Sequence, residues 1–115
     1  MNRAFFGGRR LRAYILAAFG AFAAIAAHAS VATVDIGKFM FMPMELTVAP
    51  GTTVRWINHD QTPHTVSSQG KDKLFASKAM DTDDQFEFVF AKEGDYRYVC
   101  SVHPFMTGVV HVRKP

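Results

Sequence analysis

Cys100, His103 and Met106 follow one another at intervals of three residues in the stretch YVCSVHPFM, residues 98–106. Together they offer a thiolate, an imidazole and a thioether. Donors three residues apart are separated by at most about 10 Å of extended chain, so a tight turn brings all three toward one point. Pro104 narrows the backbone choices of that turn, and the local supply of donors lowers the entropy cost of assembling a site. Soft sulfur favours copper, above all Cu(I), and imidazole serves both copper oxidation states. Two histidines and a cysteine in a trigonal set, with a weak axial methionine, make the arrangement used in blue-copper electron transfer. The stretch lacks a second histidine. His64 is the best candidate, in TPHTV, 36 residues before Cys100.

Other chemistries fit less well. Cys100 is the only cysteine, which excludes an internal disulfide, and an inert buried thiol is the bland alternative to a ligand. A nucleophilic Cys100 with His103 as base lacks an orienting third group. Structural zinc is disfavoured, since the usual Cys/His complement is absent. His59 competes with His64 but reads as a solvated loop histidine, and His111 alternates outward on a strand. Met40, Met42 and Met44 share one face at a spacing of two, opposite Phe39 and Phe41. They are expected to serve as flexible packing or a docking surface, with a soft Cu(I)-acquisition patch as the competing reading. Met80 has no ligand context.

The elements that must position these donors are strands. Val31 to Ile36, Leu46 to Val48 and Thr52 to Ile57 are β-branched and aromatic runs, with Ala49-Pro50-Gly51 as a turn. Asn58 to Pro63 reads as a polar loop, His64 to Ser67 as an extended piece, and residues 68 to 83 as an irregular connection. In QFEFVFA, Phe86, Phe88 and Phe90 alternate onto one face. Tyr96, Tyr98 and Cys100 share a face on the next strand, and Val110 and Val112 point inward on the last, Gly108 to Arg113. Tyr96 is either a tyrosine corner or a plain core aromatic. About seven short strands without helical periodicity predict an all-β sandwich.

Residues 1–29 read as a secretory signal: Arg3, Arg9, Arg10 and Arg12, no acidic residue, an apolar run from Ala13 to Ala27 and a small-x-small site at Ala27-His28-Ala29. That run is shorter than the roughly 20 residues of a membrane-spanning helix. The expected product is an exported, periplasmic domain of residues 30–115, free of the membrane and large enough for a single core. Four of the 13 basic residues lie in the signal, which leaves 9 against 10 acidic ones in the domain. Its charge is near zero, which gives no support to nucleic-acid binding.

The segments FMFMPMELTVAPGTTVRWINHDQTPHTV and GDYRYVCSVHPFMTGVVHV resemble the cupredoxin family, and the Cys-x2-His-x2-Met loop resembles its amicyanin branch. The resemblance implies a Greek-key β-sandwich holding one type 1 copper ion, with His64, Cys100, His103 and Met106 as ligands. It implies a monomeric one-electron carrier that is not itself an enzyme and that serves redox protein partners, an amine dehydrogenase or a c-type cytochrome among them. An exported copper carrier or chaperone is the alternative. Two positions depart from the branch: Val102 stands where proline is usual, and Thr65 where many members have asparagine. Thr65 with Ser101 is the expected substitute brace.

Overall fold

The computed structural model describes residues 30–115, so the signal segment expected in residues 1–29 lies outside the described residues. Eight strands follow in order: β1 Val31–Gly37, β2 Met40–Met42, β3 Glu45–Val48, β4 Thr52–Asn58, β5 Ser67–Ser68, β6 Gln85–Phe90, β7 Gly94–Val99 and β8 Thr107–Val112. They form two four-stranded sheets, ordered β2-β1-β4-β6 and β3-β8-β7-β5. The chain is therefore the all-β sandwich that the sequence predicts, with one more strand than the expected seven. The additional element is β2, which joins β1 as an antiparallel pair with Ile36 opposite Phe41.

Two pairings are parallel: β1 with β4, placing Val34 beside Trp56, and β3 with β8, placing Leu46 beside Val110. Side chains alternate across each strand, so β4 turns Thr52, Val54, Trp56 and Asn58 inward. Trp56 is the hub of the core. The rings of Phe75, Phe86, Phe90 and Tyr98 surround it at centroid distances of 5.8, 5.7, 6.3 and 5.3 Å. Burying each such side chain contributes about 1.5–3 kcal/mol. Phe75 comes from the irregular connection, which thus plugs the core as well as linking strands. Tyr96 donates its hydroxyl to the Lys92 carbonyl at 2.7 Å, which settles it as a tyrosine corner.

Alternation fails at one place that matters for the site. Lys38 and Phe39, in the turn between β1 and β2, both adopt left-handed backbone conformations, with φ of 54° and 57°. Neither is glycine, and such a conformation costs roughly 1–2 kcal/mol per residue. The turn separates Phe39 from Phe41: Phe41 enters the core, whereas Phe39 stays partly exposed.

A charged cluster ties three strands together on the outer surface. His111 on β8 places Nδ1 2.6 Å from Asp95 of β7 and Nε2 3.0 Å from Glu45 of β3. Arg113 donates to the same Asp95 oxygen at 2.6 Å. The Asp95 and Glu45 carboxylates push the His111 pKa up, and His111 and Arg113 hold the Asp95 carboxyl below its usual range.

Two outcomes are expected. A Cβ on Gly108 would overlap Cζ and Oη of the buried Tyr98, so Gly108→Ala is expected to lower stability by about 1–3 kcal/mol in denaturant titration. For His111, a raised pKa means stabilisation that is complete below its ordinary value of 6.5 and lost as pH climbs through the raised one. The depressed Asp95 carboxyl acts oppositely, its share fading as pH falls below the ordinary 3.8. The Tm advantage of the wild type over His111→Gln should thus be largest in mildly acidic solution and shrink toward alkaline pH; a constant difference would refute the assignment.

Candidate metal centre

Cys100 lies just beyond the end of β7, where alternation from Tyr96 and Tyr98 turns its side chain inward, and it is completely buried. The loop after it closes tightly: the Met106 N–H donates to the His103 carbonyl at 2.9 Å, and the Cys100 N–H to the Met106 carbonyl at 3.1 Å. This turn brings His103 back over the sulfur. His64 arrives from the opposite side, fastened by reciprocal backbone hydrogen bonds with Met80 of 3.1 and 2.8 Å.

The result is a cluster of His64, Cys100 and His103 whose ligand atoms all lie within 4.8 Å of one another. Cys100 Sγ is 3.8 Å from Nδ1 of His64 and 3.8 Å from Nδ1 of His103. Donors about 2.0–2.3 Å from a metal ion in a trigonal plane stand about 3.7 Å apart, so this spacing fits one small ion. His64 is fully buried, while His103 is half-buried and reaches the surface. Met106 is buried in the same loop. His59 stays outside the cluster, half-exposed, with Nε2 2.8 Å from Asp35, and Met80 packs in the core.

The sulfur's surroundings favour its anion. Burial works against a thiolate, but the Thr65 N–H and the rings of His64 and His103 outweigh it and bring the Cys100 pKa down to about 6. The Thr65 N–H donates to Sγ at 3.3 Å. The Thr65 hydroxyl accepts the Ser101 N–H at 2.7 Å and shares a hydrogen with the Ser101 hydroxyl at 2.7 Å. This is the brace expected of those two residues, linking the His64 segment to the Cys100 loop.

Three further residues were not singled out from sequence. Asn58 continues the inward alternation of β4 into its last position and is fully buried, not part of a solvated loop. Its amide donates to the carbonyls of Thr62 and Met80 at 3.1 and 2.9 Å, which pins both flanks of His64. Asp60 Oδ2 lies 2.8 Å from His64 Nε2. A carboxylate only accepts, so Nε2 of His64 carries a proton, and Nδ1 is the nitrogen that faces the cluster. Phe39 sets its ring against both histidines, with centroids 5.1 Å from each. The four-residue interval between Asp60 and His64 is a signal that could have found the first contact; nothing local marks the others.

Comparison with known proteins identifies the chain's family. Residues 28–113 match the model of copper-binding proteins of the plastocyanin/azurin family. The chain is 35% identical over 88 residues to amicyanin from Paracoccus versutus, covering 73% of this chain and 66% of that protein. It is 33% identical over 120 residues to amicyanin from Paracoccus denitrificans, covering 89% and 92%. A solved structure, a purple cupredoxin from Nitrosopumilus maritimus, superposes with a TM-score of 0.67 at 37% identity, covering 71% of this chain and 99% of that one.

The metal-free protein should show thiolate absorption near 240 nm that titrates with a midpoint of about 6. A midpoint near the ordinary thiol value of 9.0 would mean that the donors around Sγ do not act as described.

Proposed function

Because the chain belongs to the plastocyanin/azurin family of copper-binding proteins, we propose that it is an exported one-electron carrier whose single copper ion is held by His64, Cys100, His103 and Met106. The observation that carries this reading is the convergence of a fully buried cysteine sulfur with two imidazole nitrogens, each 3.8 Å away. Copper bound there supplies a Cu(II)/Cu(I) couple that moves one electron at a time.

The chain's own residues do the rest. Cys100 supplies the strong anionic donor, and the Thr65 N–H aimed at its sulfur withdraws charge and so tunes the potential. His64 and His103 would supply the imidazole donors, and Met106 would add a weak thioether donor. Because His64 is pinned to Met80 and His103 is held in a hydrogen-bonded turn, neither needs to move when the charge at the site changes. His103 is the donor that reaches the surface, which makes it the electron's port. Around it Phe105 is 70% exposed and Val102 54% exposed, an apolar patch suited to brief docking with a redox protein. The domain's near-zero net charge makes steering by bulk electrostatics weak. An amine dehydrogenase or a c-type cytochrome is the kind of partner that the resemblance of the Cys-x2-His-x2-Met loop to the amicyanin branch suggests.

Met44, Met40 and Met42 are 52%, 45% and 39% exposed, and this thioether face favours a second reading, a periplasmic carrier that passes on Cu(I) itself. One experiment separates the two. Adding Cu(II) to the purified protein should give an intense thiolate-to-copper band in the visible, cycling reversibly with reductant and oxidant and lost in Cys100→Ser. The position of the band tells whether the site is blue or, like the Nitrosopumilus relative's name, purple. Colourless binding of Cu(I) alone would favour the cargo reading and overturn the electron carrier.

A further inference from the structure

Asp60 joins two parts of the molecule that the metal donors alone do not connect. Its Oδ1 accepts the Lys38 N–H at 2.8 Å, and its Oδ2 accepts the Phe39 N–H at 2.9 Å and the His64 Nε2–H at 2.8 Å. These two amides belong to the left-handed pair between β1 and β2. Backbone in that region persists where the surroundings over-determine it, and the carboxylate is what determines it here. Burial opposes the Asp60 anion, but the Phe39 amide, the His64 ring and the Lys38 amide together hold its carboxyl below the usual range.

The strained turn places one ring against both imidazoles. Phe39 meets His64 edge to face at 5.1 Å and 86°, and His103 at 5.1 Å and 88°. It also stacks on Phe105 at 6.5 Å and 27°. The two imidazoles lie 5.1 Å apart, so Phe39 closes a three-ring corner. His64 has a carboxylate to orient it. Among the described residues no carboxylate bonds His103, and beyond the sulfur and the His64 ring it is bounded by Phe39 and by Phe105 at 6.0 Å.

We infer that Asp60 and Phe39 are positioning residues of the metal centre: the Asp60 carboxylate locks the turn between β1 and β2 to His64, and the turn holds the Phe39 ring against both histidines. The inference rests on the reading of His64 and His103 as ligands. It makes the centre pre-formed, with both rings oriented before an ion arrives, and it makes one carboxylate responsible for both.

The test begins on metal-free protein. Long-range 1H–15N correlation should show His64 of the wild type as a single Nε2–H tautomer, and Asp60→Ala should convert it to a mixture and shift the Phe39 amide. Asp60→Asn keeps one acceptor oxygen and should fall between the two, which guards against an unfolded alanine variant. Phe39→Leu should leave the His64 tautomer intact while the His103 ring signals average toward free-imidazole values. Cu(I) affinity by chelator competition should then drop roughly 10–100-fold in Asp60→Ala, and the visible band of the Cu(II) form should move in Phe39→Leu. If Asp60→Ala retains one His64 tautomer, an unmoved Phe39 amide and wild-type affinity, the inference is wrong. Failure of the ligand reading looks different: copper then leaves the wild-type His64 and His103 signals unmoved, whatever the variants do.

Discussion

A sulfur anion enclosed by protein is the constraint from which the rest follows. Cys100 has no exposed surface, and a charge removed from water is costly unless donors surround it. The chain supplies them from both sides: the Thr65 amide at 3.3 Å and the imidazoles of His64 and His103 at 3.8 Å. None of these groups is adjacent to Cys100 in sequence except through the turn that Met106 closes. At this end the sandwich holds two chain segments, residues 64–65 and the loop of residues 100–106, at fixed separations around one atom.

What resists distortion there is a layer of ordinary hydrogen bonds behind the donors. Asn58 holds the chain before His64, Met80 holds His64 itself, and Thr65 grips Ser101 across the gap. These contacts fix the backbone of the segments that carry His64 and Cys100. They are cheap to provide because every one is anchored on a strand end or on a backbone amide. Below them the aromatic packing around Trp56 transmits rigidity from sheet to sheet, since close-packed interiors deform little.

Much of this was legible from residue order. QFEFVF declares its inward face at every second residue, and the lone cysteine with histidine and methionine at equal spacing declares a soft metal. The brace of Thr65 and Ser101 could be anticipated because both flank donors. Other features carry no local mark. Strand β2 is three residues long and two of them are methionine, a residue without the branching that favours strands. The left-handed turn at Lys38 and Phe39 contains none of the glycine or asparagine that usually announces one. Asp60 binds amides 22 and 21 residues away, and the parallel partners of β1 and β3 are likewise chosen by tertiary packing. Asn58 was misplaced for a related reason: polarity suggested a loop, while the rhythm of β4 continued one step further.

The parallel pairing of β3 with β8 has a consequence for how the protein is made. Glu45 finds its neighbour in Val109, near the far end of the chain, and β8 also forms the border of β7 along its whole length. Contacts this distant in sequence form slowly, because a long loop must close before they are rewarded. During synthesis the cysteine segment thus leaves the ribosome before the strand that will shelter it. Until the last segment docks, the thiol is an unguarded nucleophile. The enclosure of the thiol therefore depends on β8 reaching β3 and β7 together.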